Sequence, residues 1–426
     1  MNRCSVIAFV CILVLTASSF TTIKPVKASG DLWVERAPMP SSEAYFGTVA
    51  VNGQIYAIGS DFTYVFDPLA DAWASKTPMP TNQQFFALAA YQGDIYVIGG
   101  FNGTNPSTGF NVNTGANEMY NPETDTWTAE APMPNPTEGI QADVVGGNIY
   151  VISGLLGTVT GPTGSPEPNI SSSVWVYNPS ANSWSTATPI PTPVFYYASA
   201  VVDNKVYVEG GEDSTGYTGL NQIYNPQTDT WTEGQSMPVT VVQAAAGATT
   251  GALAPAKLYI IGGTSDGFDG VNATQIYDPQ ANNWTLGAQM PKARLGLGVA
   301  VINDSLYALG GISTIYSYGT TYAVNEQYIP IDYEGPTPTP YLGITSPITA
   351  PSPSPTTSPS ASPSPSQTPK PSLSPRQQPT ASPKPEQAIT STELALASVT
   401  AVLIVVAVAT VMLKKRKSTF RQVAYR

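Results

Sequence analysis

The side chains that perform most enzyme chemistry are scarce in this chain of 426 residues. It contains no histidine, so a Ser-His-Asp or Cys-His nucleophile, a histidine-ligated zinc or copper and a haem histidine are excluded. The two cysteines, Cys4 and Cys11, lie in an N-terminal segment with the character of a secretory signal, so a mature chain would have neither disulfides nor thiol chemistry. We therefore expect no metal site and no cofactor.

Carboxylates are the groups left for acid–base chemistry. Glu43, Glu138 and Glu209 are the candidates for glycoside hydrolysis or sugar epimerisation, and they keep an enzyme as an alternative. Glu209 is unusual, because five similar segments carry Ile or Leu where VYVEGG carries this acid. A buried carboxylate must find hydrogen bonds or a cation, or stay protonated, and we interpret Glu209 as a structural acid bonded to neighbouring backbone. Asp266 and Asp269 fit no complete calcium loop.

The charge of the chain is concentrated in one region. Residues 31–334 contain 27 acidic and six basic side chains, a local charge of −21. Such a surface repels nucleic acid and membrane headgroups and favours cations or neutral polar ligands.

Both ends of the chain carry sequence signals for targeting or membrane insertion. Residues 1–29 have the basic start, apolar run (Val6–Leu15) and small-residue exit of a signal peptide. Residues 391–413 include twenty consecutive uncharged residues, enough for a transmembrane helix. The basic tail, residues 414–426, follows it, and this asymmetry predicts a single-pass plasma-membrane protein with a cytoplasmic tail and everything before the helix outside the cell.

Residues 335–390 are rich in Pro, Ser and Thr, and we expect them to be a disordered, extended stalk. Five glycosylation sequons are consistent with export. They begin at Asn102, Asn169, Asn272, Asn283 and Asn303.

One unit recurs six times upstream of the stalk: an apolar strand, a pair of small residues, a loop, an aromatic residue before Asn-Pro or Asp-Pro, a Trp and a Pro-rich exit. The tryptophans are Trp33, Trp73, Trp127, Trp184, Trp231 and Trp284. Four of the small pairs are Gly-Gly, namely Gly99–Gly100, Gly210–Gly211, Gly262–Gly263 and Gly310–Gly311. The other two are Gly59-Ser60 and Ser153-Gly154.

A repeat of about 50 residues containing several short strands predicts four-stranded blades arranged around an axis. The small pairs, the aromatic and the Trp at this spacing resemble the Kelch repeat, from residue 33 to residue 330. The resemblance implies an all-β, six-bladed β-propeller over residues 30–334. We interpret the tryptophans as packing between blades, and Asp125 and Asp229 as turn residues.

Closure of the ring follows from an incomplete copy. The sixth unit lacks its Trp, whereas the segment around Trp33 has the sequence of an outer strand with no blade before it. An open ring would leave two unpaired sheet edges, so we expect the N-terminal strand to complete blade six.

The candidate ligand site lies on the face that carries the long, variable loops between the second and third strands of each blade. Aromatic residues precede successive inner strands on this face, with Arg294 in the corresponding place of the last unit. Because neighbouring residues of a strand point in opposite directions, about half of them should pack between blades. The predicted ligand-binding residues are Tyr45, Phe85, Phe86, Tyr196, Tyr197 and Arg294.

The sequence thus predicts a non-catalytic, cell-surface binding or adhesion module for an extracellular protein or glycan. A sialidase-like site needs clustered arginines, and this globule has only Arg36 and Arg294. A copper oxidase site needs histidines. The alternatives are a carbohydrate-active enzyme on the loop-rich face and a structural envelope component.

Overall fold

A computed structural model describes residues 31–107, 109–160, 166–336 and 341. In those residues every named element is a β-strand, and no helix has the length and apolar character needed to cross a membrane. The expected signal peptide, the transmembrane helix, the basic tail and nearly all of the expected stalk lie outside the described residues.

The strands form six four-stranded antiparallel sheets, and β1 (Leu32–Glu35) is the outer strand of the sixth. Blade 1 contains β2 (Gly47–Val51), β3 (Gln54–Ile58), β4 (Thr63–Asp67) and β5 (Ala72–Lys76). Blade 2 contains β6 (Ala87–Tyr91), β7 (Asp94–Ile98), the hairpin β8 (Phe101–Thr104) and β9 (Asn111–Asn113), then β10 (Asn117–Asn121) and β11 (Thr126–Ala129). Blade 3 contains β12 (Ala142–Val145), β13 (Asn148–Ile152), the hairpin β14 (Leu155–Thr160) and β15 (Pro166–Ile170), then β16 (Val174–Asn178) and β17 (Ser183–Ala187).

Blade 4 contains β18 (Ala198–Val202), β19 (Lys205–Glu209), the hairpin β20 (Glu212–Asp213) and β21 (Gly216–Tyr217), then β22 (Asn221–Asn225) and β23 (Thr230–Glu233). Blade 5 contains β24 (Ala245–Ala248), β25 (Leu258–Ile261), β26 (Thr274–Asp278) and β27 (Asn283–Leu286). Blade 6 contains β28 (Gly298–Ile302), β29 (Ser305–Leu309) and β30 (Asn325–Ile329). The all-β, six-bladed propeller predicted from the repeats is confirmed.

The second strand of each blade is buried along most of its length because other blades cover both of its faces. In β7, for example, Ile95, Val97 and Ile98 have no exposed surface. Short turns join the first strand to the second, as at Asn52 and Gly53, whose φ angles of 50° and 77° suit the tight hairpins of twisted strands. The hydrophobic core therefore consists of layers between neighbouring blades.

The N-terminal strand closes the ring, as the incomplete copy predicted. β1 pairs with β30, with Trp33 opposite Tyr328. The Trp33 Nε1–H donates to the carbonyl oxygen of Ala288, 2.9 Å away, and the Tyr328 hydroxyl donates to Asp31 at 2.6 Å. Blade six is thereby complete, and both former edges are paired.

The same joint recurs around the ring. In every blade the Trp Nε1–H donates to a backbone carbonyl of the preceding blade's exit segment, at 2.7–2.9 Å. Asp125 adds a second bond, because its Oδ1 accepts from the Tyr120 hydroxyl at 2.6 Å and from the Thr77 N–H of the neighbouring blade at 2.9 Å. With a φ of 55°, Asp125 is the turn residue that the sequence predicted.

The glycine pairs fit where backbone passes close to backbone. At Gly100 the φ is +83°, and a Cβ there would lie 2.3 Å from the carbonyl oxygen of Gln84. Blade 3 replaces the first glycine by Ser153, which takes a φ of 59°. Its hydroxyl donates to the Ser171 carbonyl at 2.7 Å and accepts from the Val194 N–H at 2.8 Å.

Candidate functional site

The six inner strands begin around the central axis on the loop face. From the segment that leads into each strand, one residue lines the opening, two or three positions before the strand begins. These residues, which we call the mouth ring, are Tyr45, Phe85, Gly139, Tyr196, Gln243 and Gly296. All six have a positive φ, between 53° and 66°. Five backbone hydrogen bonds of 2.7–3.0 Å join successive members across the blade boundaries. The ring is thus built by the backbone, and its side chains are available for contacts.

The aromatic members of the mouth ring contact one another. Phe85 is central, with its ring centroid 5.1 Å from that of Tyr45 and 5.1 Å from that of Tyr196. Phe101, at the start of the blade 2 hairpin, stacks on Phe85 at 5.9 Å. A cavity of about 80 Å³ is lined by the mouth ring and the residues that follow it. The three ring aromatics remain partly exposed and form an apolar patch at the opening.

The second member of each predicted aromatic pair points elsewhere. Phe86 is 7 % exposed and Tyr197 is 1 % exposed, and both pack in clusters between blades. The Tyr197 hydroxyl donates to the carbonyl of Ile152 at 2.5 Å. Alternation along the strand is the reason, and Phe86 and Tyr197 are core residues rather than the ligand contacts that we predicted.

Arg294 is also a structural residue rather than the predicted ligand contact. Its side chain has no exposed surface, and Nη1 lies 2.7 Å from Oε2 of Glu326 while Nη2 donates to the Ala308 carbonyl at 3.2 Å. Glu326 lies on the third strand of blade 6, so the pair fixes the segment that leads into the inner strand of the same blade.

In other blades, too, a buried polar residue of the third strand fixes the segment that leads into the inner strand. These residues were not predicted from the sequence. The Gln222 side chain donates to the Thr192 carbonyl and accepts from its N–H, both at 2.9 Å. Gln275 holds Val239 in the same way. Each of these residues stands two positions before the aromatic of the third strand, and a polar side chain at that place in a buried strand is the signal that could have found them.

Two acidic residues lie on the segments next to Tyr196. Glu138, directly before Gly139 of the ring, is 2 % exposed, and burial raises its pKa to about 7. Its oxygens accept from Asn111 Nδ2 at 2.8 and 3.1 Å. Glu212, which pairs with Phe195, is partly buried, and burial together with Asp213 raises its pKa to about 7. Burial, Glu138 and Glu212 hold the pKa of Tyr196 well above its ordinary value.

The other two candidate acids lie apart from this pair. Glu43 accepts a hydrogen bond from Ser41 at 2.5 Å, and burial raises its pKa. Glu209, at the end of β19, is 1 % exposed, and neither of its carboxyl oxygens has a hydrogen-bond partner in the described part of the chain. The interpretation of Glu209 as an acid bonded to neighbouring backbone is therefore wrong. The adjacent N–H groups are already used, since Gly210 donates to Leu220 and Gly211 to Val241.

Glu209 faces the cluster between blades 4 and 5. It lies two residues after Tyr207 on the same side of the strand, and Tyr207 packs there with Met237 and Ala244. In the five equivalent interfaces the position of Glu209 is occupied by Ile or Leu, which faces a Phe, Ile, Tyr or Leu of the next blade. Between blades 4 and 5 the residue at that facing position is Ala244. Burial holds the pKa of Glu209 well above its usual range.

Within the described residues no cluster of three or more acidic side chains is arranged to hold a metal. Asp266 organises its own loop, because its Oδ1 accepts from the N–H groups of Phe268 and Asp269 at 2.8 and 2.9 Å. Four of the sequon asparagines are exposed and Asn272 is partly buried.

Variable loops surround the mouth ring. Hairpins β8–β9, β14–β15 and β20–β21 project from blades 2, 3 and 4, and the loops of blades 5 and 6 meet at a bridge between Asp269 and Thr314. Phe268 stacks on Tyr316 at 5.2 Å, and Tyr316 stacks on Tyr318 at 5.3 Å.

The described fold and this opening define the class of protein: a six-bladed β-propeller with a loop-lined mouth. The solved structure of YjhT superposes with a TM-score of 0.57 at 17 % identity, over 68 % of this chain and 95 % of that chain, which shows the fold alone.

Sequence comparisons identify the repeats. The Kelch motif matches residues 85–134, and the KLHDC2/KLHL20/DRC7 Kelch-repeats domain matches residues 164–311. The chain is similar to Kelch-like protein 25 of Xenopus tropicalis, with 31 % identity over 191 residues, which are 43 % of this chain and 30 % of that protein. It is also similar to Kelch-like protein terF of Aspergillus terreus, with 28 % identity over 205 residues, 44 % of this chain and 43 % of that protein. Kelch models thus match two parts of this chain, and the chain spans less than half the length of these relatives.

Proposed function

We propose that this Kelch propeller is a non-catalytic binding module that takes a protein partner at the mouth ring and the loops around it. The observation that carries the proposal is the difference between the two faces. On the turn face, Asp125 and its equivalents fill the third-to-fourth-strand turns with repeated hydrogen bonds to neighbouring blades. On the loop face, partly exposed aromatic rings meet at the axis beneath loops that differ in every blade.

The physical basis is the value of aromatic anchors in interfaces. Tyr and Phe side chains supply large contact areas with little rotamer entropy to lose, and they dominate interface energetics when the partner excludes water from them. The mouth-ring backbone, fixed by hydrogen bonds between blades, holds Tyr45, Phe85 and Tyr196 in position before binding. A partner therefore meets a preorganised patch, which reduces the entropy cost of association.

Capture of partners from an extracellular extract by the full-length chain tests the site. Tyr196→Ala should weaken capture by about 1 kcal/mol or more, roughly fivefold in affinity, because truncation removes an anchor. The matched control is Leu69→Ala, which removes a 99 % exposed apolar side chain from the turn face. Loss of capture in the Leu69 variant with full capture in the Tyr196 variant would show that the partner binds the turn face and would contradict the proposal. If the chain retained glycans instead of proteins, the ligand would be a carbohydrate and the proposed protein partner would be wrong.

We further propose that the propeller is displayed outside the cell by the predicted signal peptide, stalk and transmembrane helix. The support is the sequence itself: the apolar segments at both ends and the basic cluster after residue 413. Protease added to intact cells that make the chain should release the globule by cutting the stalk. A globule that becomes accessible only after permeabilisation would contradict this topology.

A further inference from the structure

We propose that the mouth carries a binding site for a cationic side chain, a lysine or arginine of the partner, between the aromatic cluster of Phe85 and Tyr196 and the carboxyl groups of Glu138 and Glu212. The inference rests on the proposed function, since it names the chemistry that the same opening recognises.

Two unmatched acids are the first observation. Glu138 is almost fully buried and Glu212 partly so, yet among the described residues the hydrogen bonds to the Glu138 carboxyl come from a neutral amide, Asn111. Buried carboxylates are ordinarily paired with a cation. In the described residues the three ion pairs lie elsewhere, at Arg36–Asp71, Lys257–Asp278 and Arg294–Glu326. No lysine or arginine of the described chain offsets the burial that raises the pKa of Glu138 or Glu212.

The position of these acids is the second observation. Glu138 precedes Gly139, whose carbonyl accepts from the Tyr196 N–H at 2.9 Å. Glu212 exchanges two backbone hydrogen bonds, of 2.9 and 3.1 Å, with Phe195, the residue before Tyr196. Both carboxyl groups act electrostatically on the Tyr196 hydroxyl. The backbone therefore places the two acids on the segments next to one aromatic residue of the mouth ring, Tyr196.

The aromatic cluster supplies the third observation. The rings of Tyr45, Phe85, Phe101 and Tyr196 form a continuous group with centroid spacings of 5.1–5.9 Å. Aromatic faces attract ammonium and guanidinium groups, and the attraction increases when water is excluded. Carboxylates beside such rings add charge-assisted hydrogen bonds. A neutral or anionic side chain would leave the buried acids unmatched.

The charge of the globule acts in the same direction. With 27 acids against six bases between residues 31 and 334, the propeller attracts a basic segment from a distance. The effect of the overall negative charge must be distinguished from that of the two acids at the site. The test therefore includes a control variant in which two exposed glutamates elsewhere on the propeller are replaced.

The experiment measures binding of three capped pentapeptides to the full-length chain near pH 8, above the pKa of about 7 of both acids. The central residue is lysine, arginine or norleucine, with glycine elsewhere. Glu138→Gln/Glu212→Gln removes the two charges with little change of shape. The matched control, Glu123→Gln/Glu233→Gln, removes two exposed charges.

We expect the lysine or arginine peptide to bind at least tenfold more tightly than the norleucine peptide. This preference should be lost in the Glu138/Glu212 variant and kept in the Glu123/Glu233 variant, with both variants melting as cooperatively as wild type. Equal losses in the two variants, equal binding of norleucine, or no binding of either cationic peptide at millimolar concentration would overturn the inference. Partner capture that fails with Tyr196→Ala but survives the Glu138/Glu212 changes would leave the proposed function standing and refute the cation site alone.

Discussion

Replacing Glu209 by the residue of its sister strands should stabilise the propeller, and by an amount that depends on pH. Glu209→Ile restores the side chain found at Ile58, Ile98, Ile152 and Ile261. Ala244 opposite the acid leaves room for the branched side chain, since the other interfaces accommodate a larger partner there.

The magnitude follows from protonation. Burial holds the pKa of the Glu209 carboxyl well above its usual value in the folded protein, whereas in the unfolded chain this carboxyl ionises above a pH of about 4.3. Between the unfolded and the folded pKa, folding therefore takes up a proton, which costs about 1.4 kcal/mol for each pH unit. The unpaired polar group adds a desolvation cost of about 1–3 kcal/mol at any pH.

The assay is denaturant unfolding of wild type, Glu209→Ile and Glu209→Gln at about pH 5 and about pH 7. The sign is definite: an acid whose folded pKa is raised makes its full contribution to stability below its unfolded pKa, and that stability is lost as the pH rises towards the folded pKa. The gain of the Ile variant over wild type should therefore grow between the two conditions, by as much as about 2–3 kcal/mol. The Gln variant should show the same pH dependence with a smaller total gain. A gain in stability that is equal at both pH values would refute a raised pKa of Glu209 in the folded protein.

Three further changes test the ring and its joints by denaturant unfolding. Trp33→Ala, which loses the bond to Ala288 and the contact with Tyr328, should cost about 2–4 kcal/mol, and an unchanged midpoint would show that β1 does not close the ring. Gly100→Ala, with its Cβ forced against a carbonyl, should cost about 2–4 kcal/mol, and a neutral result would contradict the close approach. Asp125→Ala should cost about 1–3 kcal/mol by removing two hydrogen bonds, whereas Asp125→Asn keeps the acceptor and should change little; equal effects would mean that the acceptor is unimportant.

Periodicity explains why the fold was predictable. Every blade boundary repeats the same joint, so the seven-residue spacing between the aromatic residue and the Trp appears five times in one chain. The unpaired copy at Trp33 identifies the closing strand. A joint made once would have left no such pattern.

The side-chain directions at the mouth were less predictable because they depend on backbone conformation. Tyr45, Phe85 and Tyr196 have a positive φ, which aims them at the opening, while the following residue enters the core. The signal was present in the sequence: the equivalent residues of two other blades are Gly139 and Gly296, and glycine at an aligned position indicates a left-handed conformation.

Single-copy features were beyond sequence reasoning. Arg294 stands where a ligand contact was expected, and its burial depends on Glu326, which is distant in sequence and becomes a partner only when blade 6 is assembled. The position of Glu212 next to Tyr196 has no sequence signal, because it depends on the pairing of a short hairpin strand with Phe195. Such contacts have no periodic counterpart to reveal them.

The closing joint also sets an order of events in the biosynthesis of the protein. β1 emerges early, but its partner β30 begins almost 300 residues later, and the bond between Asp31 and Tyr328 spans 297 positions. The first five sheets can assemble from hairpins as they leave the ribosome, whereas blade 6 must wait for the end of the domain. Long-range pairing of this kind slows folding and prolongs the exposure of unpaired edges. The strand that makes the finished ring edgeless is therefore also the one whose own edge stays unpaired longest during synthesis.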